Sequence, residues 1–319
     1  MQTLVALCLL TALLATAGTP GPSSPARLRV PVLMADTDVP LRAADLQATV
    51  NASAAKVLSV AKPSDDLILL VVLDLAGDLT LAQSATSAFL QELDKLPPNV
   101  HVGLLRAQDS LRVLEDPTRD RARLRKLVEE LPVTGRAGLL SSVETVASIG
   151  TAMVARSQVR VAILYLTDSE VTNYREDFTN PVINSSDAGD LSRRFPEVLI
   201  QEKIAKVDAN LTATATPVFI VHTTWRSDRL NTAYLDGLKQ ISVTTGGTAV
   251  VCRSLAEVPA AVEDTLRSIR NHHVVTLEFQ KTAGKSAEVH LTVSDTAGTA
   301  VRQTKFTYRS HFTLRKAKE

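Results

Sequence analysis

Two apolar runs in this chain each end on an aspartate: Leu67 to Leu73 (LILLVVL) runs into Asp74, and Val159 to Thr167 (VRVAILYLT) runs into Asp168. Runs without alternation fit strands covered on both faces, and open parallel sheets gather their ligands at the carboxyl ends of such strands. The two carboxylates are therefore expected at one site, with Asp78 four residues past the first. Three carboxylates suit a hard divalent cation such as magnesium, manganese or calcium. Without a cation, like charges at close range raise at least one proton affinity. Asp78 has a second reading, as the cap of a helix beginning at Leu79 or Thr80, where Asp is favoured. Residue type and spacing leave both open: a weak or altered cation site, or one whose cation is lost.

Enzymatic readings fare worse on the same residues. An aspartyl phosphotransferase needs a second Asp two residues after the first, and Ala76 stands there. Gly284-Lys285-Ser286 lacks the earlier glycine of a phosphate loop, because Phe279 holds that place, and it leads into a strand pattern. His-Glu-x-x-His and Gly-x-Ser-x-Gly are both missing, and His272-His273 precede a strand as a junction would. The chain is expected not to be an enzyme, with a hydrolase of unrecognised site as the remaining enzymatic alternative.

From Leu67 onward, strand and helix patterns alternate. Helical spacing covers Thr80 to Leu96, Thr118 to Leu131, Leu139 to Ala155, Leu191 to Ala209, Leu230 to Ile241 and Leu255 to Ile269. Further strands are expected at Val100 to Leu105, Pro217 to Val221 and Thr248 to Val251, with a short edge strand at Leu111 to Leu114. Strands separated by helices make a doubly wound, mainly parallel sheet, so the fold class is α/β. Past the last helix the period becomes two, at Val275, Leu277 and Phe279 and again at Val289, Leu291 and Val293. That alternation suits a small antiparallel β domain with one wet face. Arg27 to Leu33 alternates too, and is expected to join that sheet.

The order of segments carries a family resemblance. DLILLVVLDLAGD, NVHVGLL, LEDPTRDRARLRKLVEELPVTGRAGLLSSVETV and VRVAILYLTDSE together resemble a von Willebrand factor type A domain over Asp65 to Arg270. The mature chain as a whole is similar to exported, type A-related proteins of acidobacteria. In those, a short β segment precedes the domain, here RLRVPVLMADTDVPLRAADLQATV, and a β tail follows, here HHVVTLEFQ to KFTYRS. The resemblance implies a Rossmann-like fold and a divalent cation. The family holds that cation with an Asp-x-Ser-x-Ser turn, a Thr on a later loop and an Asp after the fourth strand. Only Asp74 and Asp168 match: Ala76 and Asp78 replace the two serines, and Ala137 takes the Thr position. The neighbouring Arg136 could supply its charge in place of the cation.

The expected organisation is a signal peptide over 1–17, a β segment and linker over 18–64, the type A-like domain over 65–270 and a β domain over 271–319. Leu4 to Ala15 has the length of a signal-peptide core and Ala15-Thr16-Ala17 the character of a cleavage site. A periplasmic or secreted protein follows, with no later stretch able to span a membrane. Cleavage leaves Cys252 as the one cysteine, so no intramolecular disulfide can form. Net charge is +1 in 319 residues, which lacks the field a nucleic-acid binder uses. The polar interval after Asp168 is longer than typical connections and offers Tyr174 and Phe178, while the strand after it delivers Trp225 and Arg226 to the same edge. These four are the candidate partner-binding residues for a protein or cell-surface ligand. An adhesion-like interaction module is the expected function. The alternative is a structural or assembly subunit with a vestigial cation site, and the sequence leaves the oligomeric state open.

Overall fold

The computed structural model describes residues 25–34, 41–174, 196–280, 284–293 and 306–314. The expected signal peptide and Phe178 lie outside the described residues. Strands β1 (Pro25–Met34), β2 (Leu46–Val50) and β3 (Ser53–Ala61) come first. An alternating series follows: β4 (Leu67–Asp74), α1 (Leu79–Lys95), β5 (Val100–Arg106), β6 (Arg112–Thr118), α2 (Arg121–Glu129), α3 (Leu139–Arg156) and β7 (Arg160–Thr167). It continues through α4 (Pro196–Leu211), β8 (Val218–His222), α5 (Arg229–Thr245), β9 (Ala249–Val251) and α6 (Val258–Asn271). The chain closes on β10 (His273–Gln280), β11 (Ser286–Val293), β12 (Phe306–Tyr308) and β13 (His311–Thr313).

The alternating series builds a six-stranded sheet of order β6-β5-β4-β7-β8-β9, parallel except for β6 at its edge. Its apolar runs lack alternation because both faces are covered. Leu67, Leu69, Val71 and Leu73 pack into a core with α1, α2 and α6, whereas Leu70 and Val72 face α3, α4 and α5. The edge strand expected at Leu111 to Leu114 runs over Arg112–Thr118 and pairs with β5, so α2 starts at Arg121, three residues after the expected Thr118. Asp120 sets that start by accepting a hydrogen bond from Arg123 N at 3.0 Å.

The remaining strands form a seven-stranded antiparallel sheet of order β12-β1-β10-β3-β2-β11-β13. β1 pairs with β10 from Pro25↔Gln280 to Val32↔His273. One face buries Val30, Val32, Val275, Leu277, Val289 and Leu291. β3 and β10 are neighbours, with Ala61 opposite Val274, so the chain departs for the parallel sheet and returns at adjacent strand ends. Fully buried Arg160 clamps this junction. Its guanidinium donates to the carbonyls of Pro63 and Asp65 on the way in, at 2.8 and 2.9 Å, and to those of Arg270 and His272 on the way out, at 2.8 and 2.9 Å. Arg309 and Arg29 repeat the device, donating to Thr214 O at 2.7 Å and to Val159 O at 2.8 Å. Among the described residues these guanidinium groups pair with carbonyls rather than carboxylates, and the Nε atoms of Arg160 and Arg29 are left without an acceptor.

Candidate functional site

Asp74 and Asp168 stand side by side at the carboxyl ends of β4 and β7, because those strands pair in register up to Asp74↔Thr167. Both are buried. The turn after β4 folds over Asp168, whose Oδ1 accepts from Ala76 N at 2.9 Å and whose Oδ2 accepts from Gly77 N at 2.7 Å and Asp78 N at 3.2 Å. Gly77 lets the loop close this tightly, since a Cβ there would stand 3.3 Å from Oδ2. Beneath the turn, buried Gln108 donates from its amide to Leu75 O at 2.7 Å and accepts from Arg106 Nε at 3.1 Å.

Asp74 is held from the other side. Its Oδ1 accepts from Gly138 N at 2.7 Å, and its Oδ2 lies 2.9 Å from Thr167 Oγ1. Burial, with a smaller push from the Asp168 charge, lifts its pKa to about 7 against the opposing pull of those hydrogen bonds. Thr167 Oγ1 also lies 2.8 Å from Ser169 Oγ, which is 2.7 Å from the Tyr234 hydroxyl. A threonine has one proton to donate. That proton is aimed at Asp74 Oδ2 or at Ser169 Oγ, and where it serves Ser169 a protonated Asp74 can donate to Thr167 in its place.

The other expected ligand turns away. Asp78 caps α1, its Oδ1 accepting from Thr80 N at 2.7 Å and Leu81 N at 3.1 Å. Among the described residues no three His, Cys, Asp or Glu side chains converge to hold a metal ion. Asp74 and Asp168 therefore stand as a pair, while Asp78 is a helix cap. The donor chemistry does not fit a divalent cation either, since the oxygens of the pair already face main-chain N–H groups and a hydroxyl, and Ala76 presents an amide where a ligand oxygen would be required. Arg136 sends Nη2 to Asn173 O at 3.1 Å.

Among the partner-binding candidates, Tyr174 needs correction. It is buried, its hydroxyl accepts from Leu140 N at 3.0 Å, and its ring centroid lies 5.9 Å from that of Tyr234. Burial holds its pKa well above the ordinary value, so it is a neutral core residue that ties the segment after Asp168 to α3. Trp225 behaves oppositely: it follows β8 at the same end of the sheet and remains 48% exposed. Arg226 beside it pairs with Glu170. His222 is neutral and internal, its ring nitrogens meeting Ser169 O at 2.6 Å and Thr224 N at 3.3 Å, and burial lowers its pKa.

Sequence reasoning missed Gln108, Gly138, Thr167 and Arg253. The first three follow or end strands, or open a helix, at the carboxyl edge of the sheet, and that placement was the available signal. Arg253 lies over the Trp225 ring, two residues past the end of β9.

No protein-family model and no curated protein matches the chain. Solved structures do. BatB from Bacteroides thetaiotaomicron is 13% identical at a TM-score of 0.39, over 65% of this chain and 100% of that one. The von Willebrand factor domain of the type V pili tip protein Mfa5 from Porphyromonas gingivalis is 12% identical at 0.45, over 64% and 95%. A von Willebrand factor type A protein from Catenulispora acidiphila is 12% identical at 0.40, over 93% of this chain and 74% of that one. The chain is thus similar in fold to solved structures described as von Willebrand factor type A proteins.

Proposed function

We propose that the chain is an exported, non-enzymatic interaction module that binds a protein or cell-surface partner through the carboxyl end of its parallel sheet, at a type A site whose cation has been lost. The observation that carries this reading is Trp225, half-exposed at the sheet end where the aspartate pair lies. Large aromatic side chains left in water at such an edge are frequent anchors of interfaces. Loss of the cation is supported by the donors already seated on Asp74 and Asp168 and by Asp78 serving as a helix cap. Export is supported by the apolar Leu4 to Ala15 stretch and the small residues after it.

The test is retention of envelope components on the immobilised full chain, with and without chelator, beside Trp225→Ala. Retention is expected to be indifferent to chelator and lost in the variant, while the variant melts at the wild-type temperature. A variant that melts lower yet retains the same components would return Trp225 to a packing role, and loss of retention on chelation would restore a functional cation.

A further inference from the structure

The cations at this end of the sheet are nearly all engaged: Arg226 pairs with Glu170, Arg229 with Glu197, and Arg136 donates to Asn173 O. Arg253 differs. Its guanidinium carbon lies 5.7 Å from the Trp225 ring centroid, and among the described residues its guanidinium has no carboxylate partner. The nearby Glu257 accepts instead from the Arg253 main-chain N–H, at 2.8 Å. Val250 and Leu255, on either side of Arg253 in sequence, are exposed. Val250 belongs to β9, the last strand of its sheet, and Ala249-Val250-Val251 carries none of the charges or prolines that guard such edges.

We propose that the partner segment taken by this surface is extended and acidic: it adds to the free edge of β9, sets a carboxylate on Arg253 and lays an apolar side chain against Trp225 and Leu255. This rests on the reading of Trp225 as a partner anchor. A guanidinium lying against an indole is screened from water on one side, while its in-plane N–H groups remain free to meet a carboxylate in bidentate fashion. Strand addition supplies main-chain hydrogen bonds and sends alternate side chains to opposite faces, so one register offers both the acidic and the apolar contact. Asp74 and Asp168 do not compete for basic residues of a partner, because their oxygens are already occupied by this chain's own donors.

Random ten-residue peptides displayed on phage and selected on the full chain test the proposal. The selected sequences are then titrated as synthetic peptides, with the fluorescence of Trp225, the chain's single tryptophan, as the readout. Selected peptides are expected to carry Asp or Glu within an alternating apolar pattern, to change the emission saturably, and to bind Arg253→Gln about tenfold or more weakly. Chelator should leave the titration unchanged. Peptides without acidic bias, or with equal affinity for Arg253→Gln but lost affinity for Trp225→Ala, overturn the acidic partner and leave the Trp225 surface standing. Peptides indifferent to both variants overturn both readings, and failure of any sequence to enrich overturns this one. A dimer in sedimentation that Arg253→Gln dissolves would assign the surface to a second copy, which also overturns it.

Discussion

Replacing Asp74 by Asn should stabilise the chain above neutral pH and change little near pH 4. Asp74 is fully buried, and burial lifts its pKa from 3.8 to about 7. A carboxyl whose folded pKa lies above its unfolded value keeps its proton longer in the fold, so its contribution to stability is best below pH 4 and declines as pH rises towards 7. At 1.36 kcal/mol per unit, a gap of about three units costs about 4 kcal/mol once both states are ionised. Asn keeps an acceptor for Gly138 N and offers Thr167 an N–H in place of the acid O–H, so the local hydrogen bonds survive the change. His272 acts in the opposite sense: burial pushes its pKa down to about 3, so it stays neutral in the fold and stability is lost as pH falls below 6.5. Between about pH 4 and 6.5 the two slopes oppose each other, and the wild-type profile alone is close to uninformative there. The difference between variant and wild type removes His272, which both share. Urea unfolding followed by far-UV circular dichroism should give a difference near zero at pH 4 that grows to about 4 kcal/mol in favour of Asp74→Asn at pH 8. A difference independent of pH, or a variant less stable at pH 8, would refute the reasoning. Magnesium supplies a second check, because a true site at about a hundred times its Kd would stabilise the wild type alone by about 2.7 kcal/mol.

Three further outcomes test the same geometry. Asp78→Ala removes the acceptor of Thr80 N and Leu81 N, so thermal unfolding should report a loss of about 1 kcal/mol at neutral pH, with or without magnesium. Asp168→Asn must turn an NH2 group towards one side of the amide cluster formed by Ala76, Gly77 and Asp78, at a cost of about 1–3 kcal/mol, and should hasten proteolysis in the 75–78 turn. Arg160→Met strips four junction carbonyls of their donor. It should cost on the order of 3–5 kcal/mol and split a single calorimetric transition into two, with Arg160→Lys recovering only part of the loss.

Much of the architecture was legible because its signals are local. Residues 67–74 and 160–167 read as covered strands from their unbroken apolar character, and α1, α3 and α6 from apolar spacing. β3 escaped notice because it is Ala-rich and half-exposed, which leaves little alternation to read. The edge strand was legible over its apolar part, Leu111 to Leu114, whereas its extension to Thr118 rests on pairing with β5 that cannot be seen from its own composition.

The site divides along the same line. Sequence alone determined that Asp74 and Asp168 share one sheet end and that two serine positions and a threonine position of the related pattern are changed. Tertiary structure alone decided what satisfies those carboxylates: Asp168 meets amides some ninety positions earlier in the chain, and Asp74 meets Gly138 and Thr167 from two other elements. It also turned Tyr174 inward, left Trp225 half in water and set Arg253 against it. Periodicity reports which face of an element is buried, whereas the partner of a given oxygen or ring depends on elements that only the packed chain brings within reach.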